Sequence, residues 1–188
     1  PEIFLMNGDG SVEGQLTYSH ASDIEPSWSP EGGTIAFVSN RDDNREIYTI
    51  ASDGTDLKRL TTNDTLEGSP KWSPNGGNLV FWSFVEGDSD IFIMDANGTG
   101  NVNLTGTLGW DFNPSWSPEG DRIAFQSERD GNSEIYVMDL STGKQSRVTD
   151  NKFFDGSPSW SPDGQKLLFH SDRDEKGRDG NFEIYTMN

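Results

Sequence analysis

Apolar residues fall in short runs along this chain, such as Ile35-Ala36-Phe37, Leu79-Val80-Phe81, Ile91-Phe92-Ile93-Met94 and Ile135-Tyr136-Val137-Met138. Each run is bounded by Gly, Pro, Asn or Asp, and short runs so bounded predict strands rather than helices. Ser-Pro-Glu-Gly and Ser-Pro-Asp-Gly stretches, as at Ser29-Pro30-Glu31-Gly32 and Ser161-Pro162-Asp163-Gly164, predict hairpin turns. Proline suits the first corner of a type I turn, and the following glycine accepts a positive φ. Many strand positions are apolar on successive residues instead of alternating, so both faces of these strands have to be covered.

The pattern repeats with a fixed period. Pro-x-Trp-Ser-Pro begins at Pro26, Pro70, Pro114 and Pro158, always 44 residues apart, and Thr17, Thr61, Thr105 and Thr149 keep that spacing. Ile3, Ile47, Ile91 and Ile135 do so too; the fifth copy, Glu183-Ile184-Tyr185, arrives 49 residues later, which places a five-residue insertion in the last unit. Each unit reads as a meander of four antiparallel strands, with a polar fourth strand (Lys58-Arg59, Arg147) suited to an exposed edge. Small sheets with two buried faces, repeated at a fixed period, predict an all-β propeller whose blades stack around an axis. The chain is expected to be a single domain over 1–188, in units of about 1–17, 18–61, 62–105, 106–149 and 150–188. About four repeats are visible. A surplus third-type strand favours an arc of a larger propeller, or a ring completed by another chain, over a closed four-blade monomer, and open blade edges predict self-association.

Composition narrows the function classes. The 188 residues carry 32 Asp plus Glu against 14 Lys plus Arg, a net charge of −18. Gripping phosphates needs a basic stripe, so nucleic acid is excluded as a partner, whereas cations are not. The absence of cysteine excludes disulfides and thiolate chemistry. No apolar run reaches the ~18 residues that a membrane helix requires. Eleven Phe, six Trp and four Tyr make the low hydrophobic fraction of 31% a turn-rich fold instead of a disordered chain.

Pro114-Ser115-Trp116-Ser117-Pro118-Glu119-Gly120, then Arg122-Ile123-Ala124-Phe125, Arg129-Asp130-Gly131-Asn132 and Glu134-Ile135-Tyr136-Val137-Met138-Asp139, closely resembles the WD40-like (PD40) repeat of TolB-like β-propellers. The likeness recurs four times. It implies a non-enzymatic module that binds a protein or peptide, in a periplasmic or secreted setting. Similar repeats in prolyl-oligopeptidase-like and tricorn-like peptidases imply an alternative, the non-catalytic propeller domain of such an enzyme. Those in oligogalacturonate lyase imply a His-rich metal centre, which His20 and His170, the only two histidines, do not resemble.

Candidate chemistry gathers before the first strand of each unit. Asp23, Glu67, Asp111 and Asp155 stand three residues ahead of each repeat Pro, and innermost strands would bring them together as a ring at a central channel. Close carboxylates repel, so such a ring is a candidate site for Ca²⁺ or another divalent cation; the alternative is that each accepts backbone N–H bonds in the connection from one unit's fourth strand to the next unit's first. Trp110, Phe112, Phe153 and Phe154 lie in the same stretches, and Trp82 lies off the repeat. Together they are candidates for an aromatic channel mouth that anchors a partner; closure of the channel by these side chains is the rival reading. Asp172-x-Asp174-x-Lys176-Gly177, with Glu183 beyond, overlaps a calcium-loop pattern, but its Lys and its strand flanks favour an extended hairpin. There is no G-x-S-x-G, H-E-x-x-H or glycine-rich phosphate loop.

Overall fold

The computed structural model describes residues 1–173 and 181–188, so the loop pattern at 172–183 lies largely outside the described residues. It is all β. A hairpin of β1 (Phe4–Met6) and β2 (Val12–Gln15) precedes three four-stranded antiparallel meanders. Blade one comprises β3 (Asp23–Trp28), β4 (Thr34–Asp42), β5 (Asn44–Ala51) and β6 (Lys58–Arg59). Blade two comprises β7 (Leu66–Trp72), β8 (Asn78–Val85), β9 (Asp88–Asp95) and β10 (Val102–Asn103). Blade three comprises β11 (Asp111–Trp116), β12 (Arg122–Ser127), β13 (Glu134–Asp139) and β14 (Gln145–Arg147). Blade four has three described strands, β15 (Asp155–Trp160), β16 (Leu167–Ser171) and β17 (Glu183–Met187).

The repeat residues explain themselves locally. In each β-turn after Trp-Ser-Pro, the glycine N–H bonds the serine carbonyl (Gly32 to Ser29, Gly120 to Ser117, each 2.9 Å), and Gly32, Gly76, Gly120 and Gly164 all have φ between 67° and 75°. The same serine's hydroxyl accepts the N–H that opens the next strand, as from Thr34 to Ser29 at 3.0 Å and from Lys166 to Ser161 at 2.9 Å. The repeat threonines act likewise: Oγ1 of Thr17, Thr61, Thr105 and Thr149 accepts the N–H of Ile3, Ile47, Ile91 and Ile135 at 2.8–3.0 Å. Each ties the end of one strand connection to the third strand of the same sheet.

The core lies between sheets, not within them. Ile3 and Leu16 pack on Ile35, Phe37, Tyr48 and Ile50. Ala36 and Ile47 pack on Leu79, Phe81 and Met94 of the next blade, and Val80 and Ile91 on Ile123, Phe125 and Met138 of the one after. Ala124 and Ile135 meet Leu167 and Phe169. Strands β3, β7, β11 and β15 pack against one another in order and so line the axis. At the two end sheets the corresponding positions lie open: Ile184, equivalent to the fully buried Ile47, Ile91 and Ile135, is 67% exposed. Leu168, Phe4 and Met6 are exposed too.

Each inner strand carries an irregularity at one place. Register shifts between Ile24 and Ser27, Gly68 and Lys71, Phe112 and Ser115, and Gly156 and Ser159. Within each shift one non-glycine residue is left-handed: Glu25, Ser69, Asn113 and Ser157, with φ of 49–55°. This recurring bulge turns the side chains on either side of it toward different surroundings.

Candidate functional site

Connections from the fourth strand of one blade to the first of the next share an end of the propeller with the turns between second and third strands. Asn44 Nδ2 donates to the carbonyls of Asn63 and Thr65 at 2.8 Å, and the Gly109 N–H bonds Asp88 Oδ2 at 2.8 Å. This end contains the candidate residues.

The four carboxylates do not form the expected ring. Asp23, Glu67, Asp111 and Asp155 are all buried, each in register with a buried serine on the next strand: Ser39, Ser83, Ser127 and Ser171. Three of them meet an arginine of their own blade. Arg41 Nη2 reaches Asp23 at 3.0 Å, Arg129 Nη2 reaches Asp111 at 2.9 Å, and Arg173 pairs with Asp155. The same arginines donate through Nε to Ser39, Ser127 and Ser171 at 2.7–3.0 Å. Their guanidinium groups also cover an aromatic pair in each blade, Phe37 and Tyr48, Phe125 and Tyr136, or Phe169 and Tyr185. Side-chain partners, rather than the backbone N–H groups of the alternative reading, meet these acids, and in three of the four blades a guanidinium of the same blade pairs with the carboxylate. Among the described residues no three Asp, Glu or His side chains converge as a metal site, His20 and Asp23 included.

The surroundings set the titration of these groups. Burial pushes Asp23 and Asp155 up, but hydrogen bonds from Ser39 and Arg41, and from Arg173 and Ser171, outweigh it and hold both below the ordinary carboxylate value. At Asp111 burial wins over Ser127 and Arg129, and the group is raised. Glu67 has Val85 where the other blades have arginine, and burial pushes it up to about 7. Sequence reasoning missed the arginines, although Ser39-x-Arg41, Ser127-x-Arg129 and Ser171-x-Arg173 recur in phase with the acids.

What lines the axis instead is the bulge. A cavity of about 410 Å³ is bounded by Ser69, Lys71, Asn113, Ser115, Ser157 and Ser159, with Pro114 and Pro158. The left-handed residues are joined across blades: the Ser69 N–H donates to Glu25 Oε2 at 2.5 Å, Ser69 Oγ to Asn113 Oδ1 at 3.3 Å, and Asn113 Nδ2 to Ser157 Oγ at 3.3 Å.

The aromatic candidates gather into two groups. Trp82 lies flat over Gly68, where a Cβ would come within 2.2 Å of the indole, and Phe112 of the next blade meets Trp82 edge-on at 5.5 Å. Phe112 in turn touches Trp110 at 6.1 Å, and Trp110 is 48% exposed. The second group stacks Phe154 on His170 at 5.4 Å, with Phe182 edge-on to both. Phe153 stands apart from it beneath the Lys152 ammonium, at 5.3 Å. Trp82 is thus chiefly a support, whereas Trp110 presents its ring outward. Leu66, Phe84 and Leu108, the last 90% exposed, extend the apolar rim and were not singled out from sequence, because Leu66 and Leu108 are isolated apolar residues and Phe84 reads as part of an ordinary strand.

Radially stacked four-stranded meanders with their first strands on the axis define a β-propeller, present here as consecutive blades. The chain belongs to the PD40 family, the TolB beta propeller domain, whose model matches residues 69–188. It is similar to the crystal structure of TolB from Acinetobacter baumannii, with a TM-score of 0.86 and 26% identity, over 98% of this chain and 45% of that one. The curated TolB homolog of Chlorobium luteolum is 37% identical over 49 residues, 26% of this chain and 11% of that protein. The chain thus spans less than half the length of these relatives. A puromycin-hydrolyzing peptidase of Mycobacterium tuberculosis shares the fold alone, at a TM-score of 0.73 and 15% identity, over 94% of this chain and 29% of that one. No helix among the described residues is long and apolar enough to cross a membrane.

Proposed function

We propose that these blades form a non-catalytic, TolB-like binding module that docks a protein or peptide on the rim around the channel mouth. The observation carrying this reading is the exposed Trp110 seated on the Phe112–Trp82 pair, with the exposed Leu108 two residues before it in the same connection. An outward aromatic held by rigid packing beneath it is the form that interface anchors take. Exposed Asp43, Asp64 and Glu86 stand at the same end, so the favoured partner is a segment with basic residues beside an apolar anchor. Family membership supports a periplasmic setting. Among the described residues no group of three Asp, Glu or His converges as a metal site, and the reading requires no cation.

Selection of peptides from a random display library on the immobilised chain tests the proposal. Selected peptides are expected to be basic and aromatic, and to lose at least tenfold in affinity for a Leu108→Ser/Trp110→Ser variant. Undiminished binding by that variant would remove the rim from the account. Likeness to the puromycin-hydrolyzing peptidase supports a second reading, a propeller attached to a hydrolase domain. A longer reading frame carrying G-x-S-x-G would favour that one.

A further inference from the structure

Two successive tiers of side chains line the axis, and they use their polar groups differently. The bulge tier is closed on itself: Ser69 donates to Glu25 and Asn113, and Asn113 donates to Ser157. Two residues on along each inner strand lies a second tier, Ser27, Lys71, Ser115 and Ser159. Among the described residues its three hydroxyls make no hydrogen bond, and the Lys71 ammonium makes neither a hydrogen bond nor an ion pair. The serines two positions further along contrast with them, since Ser29, Ser73, Ser117 and Ser161 all accept the N–H that opens the next strand.

Lys71, Ser115 and Ser159 stand between two cavities. On one side is the 410 Å³ cavity of the bulge tier; on the other is a cavity of about 300 Å³ that reaches Ser27 and the turn prolines Pro74, Pro118 and Pro162. Lys71 is the one charged residue on the walls of either, in a chain whose net charge is −18. Glu25, the acid of the bulge tier, lines neither cavity and is occupied by the Ser69 N–H at 2.5 Å. The main chain of Lys71 is fixed against blade three, because its carbonyl accepts Trp116 Nε1 at 3.1 Å. Packing does not call for a lysine here: the side chain is exposed, and the other three blades place serine at this position.

We propose that the second tier binds a small hydroxylated monocarboxylate, with its carboxylate on the Lys71 ammonium and its hydroxyls among the free serines. A charge-assisted hydrogen bond to the ammonium supplies the strongest contact. Serine hydroxyls both donate and accept, which matches them to a polyol. The 410 Å³ volume falls in the range of about 300–1,000 Å³ typical of small-molecule sites, more than a bare ion fills, and Pro114 and Pro158 give the carbon skeleton an apolar wall. One ammonium balances one negative charge. A phosphate dianion would bring a second charge with no further cation on the walls, against the field of an acidic chain.

Titration of the full chain with sodium gluconate at constant ionic strength, followed by amide NMR, tests this. Saturable shifts are expected at Lys71, Ser115 and Ser159, and none with sorbitol, the uncharged polyol. Lys71→Ser installs the residue of the other three blades, so it should fold, and it is expected to lose at least tenfold in gluconate affinity. Ser115→Ala/Ser159→Ala should weaken binding severalfold with the ammonium in place. Absence of saturable shifts at millimolar gluconate overturns the proposal, as does undiminished binding by Lys71→Ser. Equal binding of sorbitol, which would leave the charge unread, or tighter binding of glucose 6-phosphate, which would assign a dianion, overturns it as well.

Discussion

Arg129 Nη2 lies 2.9 Å from Asp111 Oδ2, and its guanidinium carbon stands 4.6 Å from the Tyr136 ring centroid. The carboxylate is wholly buried and the arginine nearly so. Removing one member of a buried pair strands the other charge, at a cost of about 3–5 kcal/mol. Arg129→Met should therefore destabilise the chain by about that much. Asp111→Asn/Arg129→Met should lose less than the sum of its single variants in urea unfolding.

Gly68 and Gly33 separate packing from backbone freedom. A Cβ at Gly68 would lie 2.2 Å from Trp82, whereas at Gly33 the nearest atom is 4.0 Å away, and neither residue has a positive φ. Gly68→Ala is expected to cost about 1–3 kcal/mol and to shift tryptophan emission as the indole moves. Gly33→Ala should be neutral within about 0.5 kcal/mol.

Ile47 and Ile184 occupy equivalent repeat positions with opposite burial. Ile47→Ala should cost about 2–5 kcal/mol and Ile184→Ala about 0.5 kcal/mol or less. The exposed Ile184 and Leu168 on one end, with Phe4 and Met6 on the other, form apolar faces of the kind that mate between blades elsewhere in the chain. This 188-residue chain is accordingly expected to self-associate, and Ile184→Lys to lower the mass seen by light scattering. A strict monomer at high concentration contradicts that expectation.

Stability should fall on both sides of a mildly acidic optimum. Asp23 and Asp155 sit below their unfolded value, so their contribution is present above pH 4 or so and lost as pH falls through their folded values. Glu67 and Asp111 are raised, and their contribution runs the other way, lost as pH rises. Chemical unfolding at pH 3, 5 and 8 checks this, with the largest free energy expected at pH 5.

The blades were legible because Pro26-Ser27-Trp28-Ser29-Pro30 and its copies encode turns, and turns at a constant spacing dictate register. The direction of the acids was not. Asp23 and its equivalents stand at the inner strands as expected, yet a bulge two residues on puts Glu25, Ser69, Asn113 and Ser157 at the axis and leaves three of the four acids facing arginine. A left-handed residue before proline has no signature in a hydrophobic pattern, so a channel ring was read one bulge too early. The aromatic rim was legible in part: Trp110 was identified, but its support by Phe112, itself packed on Trp82 of the preceding blade, depends on a contact between blades.

Hydrogen–deuterium exchange of the chain with and without a selected basic, aromatic peptide tests the docking rim most directly. Protection confined to 62–66, 84–88, 106–112 and 150–154 is the predicted result. Protection at the opposite end instead, in the turns 30–33, 74–77 and 118–121, would contradict it.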